Sequence, residues 1–142
     1  MPNHCMNRLV MSETTLPVIL SKYVRKDERG KNVFDFEKIA PVGDTPDWLD
    51  RRIEQWGTKW IGYDVCIGDS AIDFCTAWTP PVPVIKKLAE LHKELVFTLE
   101  YAEPGMMFRG RAVAKWQGNT VRLDDNCWDM TERDLEELGL TG

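Results

Sequence analysis

Histidine and paired cysteines are scarce in this sequence. It contains only two histidines, and its four cysteines stand far apart, at Cys5, Cys66, Cys75 and Cys127. Zinc sites usually show close-spaced pairs of cysteine or histidine, and this chain has no C-x-x-C pair. The sequence therefore predicts no metal and no cofactor, and free thiols typical of a reducing compartment.

Long apolar runs are also missing. No stretch approaches the roughly 18 apolar residues that a membrane span requires. The opening residues, MPNHCMNRLVM, lack the basic and apolar segments of an export signal. We therefore expect a cytoplasmic protein with no membrane partner.

Patterns that carry catalysis are absent as well. His92 has Glu90 and Glu94 nearby in sequence but no neighbouring nucleophile, which favours a histidine on a helix surface. The sequence thus predicts no catalytic residue.

Basic residues are outnumbered, and the formal net charge is −5. This balance argues against general nucleic-acid binding, since affinity for phosphate comes mainly from Lys and Arg. The negative charge concentrates near the C-terminus, at Asp124, Asp125, Asp129, Glu132, Asp134, Glu136 and Glu137. Two interpretations stay open: a surface that binds a basic partner, or the solvated face of a terminal helix.

The remaining pattern predicts an α+β protein. Four helices are expected: one after Thr15, one over Thr45–Gly57 with Leu49, Ile53 and Trp56 aligned, one over the segment PPVPVIKKLAELHKE, and a short one capped by Thr131 and Asp134. The main strands are expected at Asn7–Ser12, Val33–Ile39, Ala71–Trp78 and Leu95–Tyr101, followed by a hairpin that turns at QGN. A further hairpin at Gly68–Asp69 is possible.

This order is a split β-α-β arrangement, the ferredoxin-like plan. The segment Thr45–Gly57 is then an inserted helix, and the C-terminal hairpin extends the sheet. Residues 1–142 are expected to form a single domain.

Four segments carry a family resemblance: MPNHCMNRL, WGTKWIGYDV, TAWTPP and YAEPGMMFRG. In this order they resemble the YubB-type proteins encoded by phages and plasmids. The resemblance implies a ferredoxin-like domain and an accessory protein of a mobile element in a bacterial host. It implies no catalytic residues, because the family has no settled chemistry.

The inserted helix and its exit are rich in aromatic residues. Trp56, Trp60 and Trp78 are expected near one another, with Lys59 lying over a ring. Such a cluster packs an insertion against a sheet edge, or it stacks on a base or another flat ligand. We expect Trp56→Ala to cost about 3–5 kcal/mol of stability if that ring is core.

One predicted strand has a basic face. Arg109, Arg111 and Lys115 share that face by alternation, with Trp116 close by. Basic and aromatic side chains on a ferredoxin-like sheet bind RNA in some proteins. A solvated strand face is the alternative.

Three classes of function therefore fit the sequence. It favours a non-enzymatic protein that binds a host protein or protein complex, and the mobile-element resemblance suggests counter-defence against an immune system such as CRISPR. A single-stranded nucleic-acid-binding module is an alternative, and a small-molecule enzyme is another. The sequence does not decide between monomer and homodimer.

Overall fold

The computed structural model describes residues 3–139. Its α-helices are α1 (Leu16–Tyr23), α2 (Trp48–Trp56), α3 (Val82–Leu91) and α4 (Glu132–Glu137), and a 3-10 helix covers Phe36–Lys38. Its strands are β1 (His4–Val10), β2 (Val24–Lys26), β3 (Asn32–Phe34), β4 (Tyr63–Ile67), β5 (Ala71–Ala77), β6 (Val96–Glu103), β7 (Phe108–Gln117) and β8 (Thr120–Asp129).

Six of these strands form one antiparallel sheet in the order β4-β5-β1-β6-β7-β8. β1 lies between β5 and β6, and α3 connects those two strands across it. This is a split β-α-β arrangement, so the predicted α+β, ferredoxin-like fold is confirmed. The hairpin β7–β8 extends the sheet as predicted, and α4 follows it.

The prediction that Val33–Ile39 forms a strand of this sheet is wrong. Only Asn32–Phe34 is extended, and it pairs with β2 in a separate two-stranded sheet. Asp35 ends the strand, because its carboxylate accepts a hydrogen bond from the backbone N–H of Glu37 and caps the 3-10 helix.

β4 takes the place in the main sheet that the sequence assigned to Val33–Ile39. It pairs with β5 through a hairpin at Gly68–Ser70, so the optional hairpin at this point is confirmed. The alternation of β4 is hidden in the sequence, because the pairing register shifts between Tyr63 and Cys66 and Asp64 has a φ of 51°.

The segment between β1-α1 and β4 is an insertion in the ferredoxin-like plan. It comprises the β2–β3 hairpin, the 3-10 helix and α2. α2 stops at Gly57, whose φ of 77° is left-handed. A Cβ at this position would lie 2.7 Å from Cδ of Pro83, so the insertion approaches α3 closely here.

One face of the sheet forms the core. Leu9, Ile72 and Leu99 lie next to one another in register on β1, β5 and β6 and are fully buried. α3 contributes Ile85 and Leu88 to the same apolar cluster. Alternation along the strands turns the intervening residues to the opposite side, which we call the open face.

Between residues 3 and 139, no helix combines the length and the apolar character needed to cross a bilayer.

Candidate functional site

The open face has an alternating row of charges across four strands. Asp73 of β5 lies opposite Arg8 of β1, Arg8 lies opposite Glu100 of β6, and Glu100 lies opposite Arg111 of β7. Arg8 makes a two-point ion pair with Asp73, with N–O distances of 2.8 and 3.1 Å. Opposite charges side by side stabilise strand pairing, and the alternation of sign along this row favours the pairing of the four strands.

Only part of the predicted basic strand face is free to contact a ligand. Arg109, Arg111 and Lys115 share the open face of β7, but Trp116 alternates to the other side and packs against the core. The prediction that Trp116 joins the basic residues is therefore wrong. The ammonium group of Lys93 lies 4.4 Å from the centre of the Trp116 ring instead.

Arg109 is committed to an internal contact. Its guanidinium lies 3.0 Å from Asp134 and 3.6 Å from Glu137, both on α4. α4 is thereby fastened to the sheet beside β7. Within the described residues, Lys115 has no ion-pair partner, and it lies opposite Arg122 of β8.

The acidic residues form a surface along β8 and α4. Three of them have an internal role: Asp125 accepts a hydrogen bond from the Tyr101 hydroxyl at 2.7 Å, Asp134 caps α4, and Glu137 contacts Arg109. Asp124 contacts Arg122 at 3.1 Å in an exposed pair. The rest, Asp129, Glu132 and Glu136, are exposed and have no ion pair within residues 3–139.

β8 is the outermost strand on its side of the sheet. An edge strand offers backbone N–H and C=O groups to another chain, and charged side chains usually restrict that pairing. The carboxylates of β8 are charged side chains of this kind at the edge of the sheet.

Trp56 is a core residue rather than a ligand-facing one. Its ring is fully buried, it packs on Phe36, and its indole N–H donates to the carbonyl of Ala40 at 2.7 Å. The packing interpretation therefore holds for this tryptophan. The sequence grouped it with Trp60 and Trp78, which are both exposed.

Trp60 belongs to a row of aromatic rings at one corner of the open face. Its ring meets Tyr63 at 6.4 Å between centres, and Tyr63 meets His4 at 5.5 Å, both edge to face. The ammonium of Lys59 lies 4.5 Å from the Trp60 ring centre, as the sequence suggested. Burial raises the pKa of Tyr63 to about 12, so its hydroxyl stays neutral and hydrogen-bonds Nδ1 of His4.

His4 and Tyr63 are not among the site residues that the sequence predicts. They stand 59 positions apart, and the register of β1, β5 and β4 brings them together. No local pattern signals such a contact, because strand register depends on non-local pairing.

Trp78 stands apart from this row. It follows β5 with a left-handed φ of 68°, an unusual conformation for a bulky side chain. Its backbone N–H donates to the carbonyl of Asn3, and the hydroxyl of Thr79 donates to the carbonyl of Gly57. These bonds hold the exit of α2 next to Trp78, while the Trp78 ring makes no aromatic contact within residues 3–139.

α2 exposes the side that the sequence assigned to the core. Leu49 and Ile53 are 44% and 51% exposed, so their predicted burial beside Trp56 is wrong. Trp48 is exposed next to them. We call Trp48, Leu49 and Ile53 the α2 ridge.

Arg52 packs against two tryptophans of the same helix. The guanidinium of Arg52 lies between Trp48 and Trp56, 4.8 Å from each ring centre. Stacking of this kind between a guanidinium and indole rings is favourable, and it holds Arg52 in one position on the helix.

A cleft of about 520 Å³ opens between α2 and the rest of the insertion. It is lined by Arg25, Asp35, Glu37, Gly43, Asp44, Arg52, Trp56, Trp60 and Ile61. We call it the insertion cleft. A shallower depression of about 370 Å³ lies on the open face beside Arg8, Asp69, Asp73 and Glu100. Across residues 3–139, no three His, Cys, Asp or Glu side chains are grouped to hold a metal ion.

The chain matches a known protein family over part of its length. Residues 55–139, which are more than half of it, match the family described as the ferredoxin-like domain in Api92-like protein. The chain belongs to this family. No curated protein and no solved structure matches it.

The Api92-like match covers only part of the ferredoxin-like unit. It begins at Gln55, so it includes β4 to β8, α3 and α4, whereas β1, α1 and most of the insertion precede it. Trp60, Tyr63 and the acidic surface lie within the matched residues, while His4 and the α2 ridge lie outside them. The family description names a fold and gives no activity.

Proposed function

We propose that this protein is a non-enzymatic binding protein whose target is another protein. The observation that carries the proposal is the α2 ridge, an exposed apolar surface of Trp48, Leu49 and Ile53. Tryptophan and other large apolar residues grouped on a surface are typical of protein interfaces.

The charges around the ridge indicate the character of the partner. Asp47, Asp50 and Glu54 flank it on the same helix and are exposed. An apolar centre with an acidic rim is complementary to an apolar groove bordered by Lys or Arg. The exposed carboxylates of β8 and α4 favour the same kind of partner.

The finer proposal is a phage or plasmid accessory protein that acts in the bacterial cytoplasm against a host defence system such as CRISPR. The resemblance of four segments to YubB-type proteins supports the mobile-element origin. Proteins that hold nucleic acid have basic grooves, and an acidic domain is drawn to such grooves by complementary charge. The counter-defence role is an analogy from this chemistry.

Affinity capture from a bacterial lysate tests the protein-binding proposal. We expect the wild type to retain a host protein, and we expect Leu49→Lys and Ile53→Lys together to reduce its recovery at least tenfold. Val18→Lys is the matched control, since Val18 is 43% exposed on α1, away from the ridge. Circular dichroism shows whether each variant folds.

Three outcomes would contradict the proposal: no retained host protein, equal retention by the ridge variant, or equal loss in the Val18→Lys control. Counter-defence has a separate test, in which the protein is expressed in a host that restricts an incoming plasmid. Asp129→Asn, Glu132→Gln and Glu136→Gln together should restore restriction if the acidic surface is the contact.

The nucleic-acid alternative depends on the open face, where Lys115 and Arg122 lie side by side. Binding through these residues would weaken steeply with salt, because each neutralised phosphate releases a counterion. Fluorescence anisotropy of a labelled single strand at low and at physiological salt measures this. Lys115→Gln should flatten the salt dependence, and undetectable binding at low salt would remove the alternative.

A further inference from the structure

We propose that the insertion cleft binds a small molecule that carries a flat aromatic ring and one oxyanion, either a phosphate monoester or a carboxylate. This goes beyond the proposed function, because Trp48, Leu49 and Ile53 of the α2 ridge are not among the residues that line the cleft. The cleft is a binding site formed by residues from the two-stranded sheet, the 3-10 helix region, α2 and the segment before β4.

The two arginines of the cleft have unused donors. Arg25 donates through Nε to Asp35 at 2.7 Å and through Nη1 to the carbonyl of Lys26 at 3.3 Å. Arg52 donates through Nη1 to the carbonyl of Lys59 at 3.0 Å. Each guanidinium carries five N–H donors, and neither Nη2 group has a hydrogen-bond acceptor within residues 3–139, which leaves both for a ligand.

Two of the three carboxylates that line the cleft already accept hydrogen bonds, and the third is Asp44. Asp35 accepts from Arg25 and from the backbone N–H of Glu37. Glu37 accepts from the backbone N–H groups of Val42 and Gly43, both at 2.7 Å. The two arginines therefore offer free N–H donors. A ligand that fits them must bring acceptor oxygens.

The charges of the lining limit how much negative charge a ligand can carry. Arg25 and Arg52 face Asp35, Glu37 and Asp44. Three carboxylates and two guanidinium groups line the cleft, so a ligand oxyanion is held by its local contacts with the arginines, and the much greater negative charge of a triphosphate is disfavoured.

Arg52 is held in place before any ligand arrives. Its guanidinium is stacked between Trp48 and Trp56, and its Nε is buried with no acceptor among the described residues. A side chain fixed in this way loses little conformational freedom on binding. Such fixed guanidinium groups are suited to planar recognition of an oxyanion.

The ring of the ligand has an apolar wall to contact. Trp60 and Ile61 line the cleft next to Arg52. Flat rings stack favourably on exposed indole. The volume of about 520 Å³ lies within the range of small-molecule pockets, which favours a small molecule over a macromolecular chain.

Calorimetric titration of the intact protein tests the proposal. The probes are AMP and CMP as ring-bearing phosphates, phenylacetate as a ring-bearing carboxylate, and inorganic phosphate, adenosine and ATP as comparisons. We expect AMP, CMP or phenylacetate to bind at least tenfold more tightly than inorganic phosphate or adenosine, and ATP to bind more weakly than AMP.

Matched variants locate the site. Arg25→Gln and Trp60→Leu should each weaken binding at least tenfold. Arg29→Gln, in the exposed β2–β3 turn, and Trp128→Leu, on β8, should leave binding unchanged. Arg52→Gln is a less suitable test, because loss of its stacking also disturbs α2.

The outcomes separate the two ligand sources and the two proposals. Binding of the nucleotides alone identifies the ligand as a phosphate monoester, and binding of phenylacetate alone identifies a carboxylate. No binding at millimolar concentration, or binding that survives Arg25→Gln and Trp60→Leu, would overturn the proposal. The ridge variant Leu49→Lys/Ile53→Lys should retain ligand binding, so failure of the protein-binding proposal is seen independently.

Discussion

His92 lies at the end of α3 with its ring inside the protein. Its Nε2 lies 2.7 Å from the Tyr23 hydroxyl, and the ring meets Phe97 edge to face. The predicted surface position is therefore wrong. His92 is the residue at which α3 ends, and its backbone is no longer helical, so helical periodicity does not report the direction of its side chain.

The burial of His92 makes stability depend on pH. Burial lowers the pKa of His92 below its usual value of 6.5, the positive charge of Lys22 lowers it further, and Glu94 acts in the opposite direction. Below about pH 6.5 the unfolded chain binds a proton that the folded chain resists. The stability that His92 contributes is therefore present at neutral pH and lost as the pH falls through this range.

Urea unfolding at several pH values from about 8 to about 5 measures this dependence. We expect the free energy of unfolding of the wild type to decrease as the pH is lowered. It should decrease less steeply in His92→Gln, which retains a group that can hydrogen-bond Tyr23. An equal slope in the two proteins would show that other groups cause the dependence.

Three strands at one side of the sheet are joined by a single tyrosine. Tyr101 of β6 lies opposite Gly110 of β7, and its hydroxyl continues to Asp125 of β8. A Cβ at Gly110 would lie 2.4 Å from the Tyr101 hydroxyl oxygen and 2.5 Å from the carbonyl oxygen of Asn126. The phenol ring therefore covers the backbone where a side chain is missing, an arrangement that stabilises a glycine within a strand.

Gly110→Ala should destabilise the protein by about 2–3 kcal/mol, because the added methyl group overpacks a filled site and displaces Tyr101. Gly118→Ala is the control: Gly118 has a left-handed φ of 67° but open space around it, so it should cost about 1–2 kcal/mol through backbone strain alone. Chemical denaturation compares the two variants. A smaller loss in Gly110→Ala than in Gly118→Ala would contradict this account.

The insertion and the sheet share one core. Phe34 and Phe36, before α2, pack on Phe74 of β5 with ring centres 5.1 and 6.2 Å apart, and Trp56 packs on Phe36 at 5.8 Å. Gly62 allows this approach, since a Cβ there would lie 2.8 Å from Cβ of Phe34. Removal of the insertion would expose aromatic surface of the sheet itself.

We therefore expect a single cooperative unfolding transition for the whole chain, as for most domains of this size. Urea unfolding followed by tryptophan fluorescence and by far-ultraviolet circular dichroism should give coincident curves. Four tryptophans lie in or next to the insertion, so fluorescence that changes at lower urea than the circular dichroism would show that the insertion unfolds on its own.

Much of the architecture follows from local patterns in the chain. Turn residues and alternation predicted the β7–β8 hairpin, and the Thr131 capping box predicted the start of α4. Gly57 predicted the end of α2, because a left-handed residue stops a helix. Each of these features depends on residues a few positions apart, which is the range over which a sequence pattern is informative.

Other features depend on residues that are distant in the chain. The strand that pairs with the outer side of β5 is chosen by non-local pairing. The bulge in β4 conceals the alternation of apolar and polar residues along that strand. The exposure of Leu49 and Ile53 depends on what α2 packs against, which the apolar spacing of the helix does not report. The contact of His4 with Tyr63 and that of His92 with Tyr23 join residues 59 and 69 positions apart, and a chain specifies such contacts through packing rather than through periodicity.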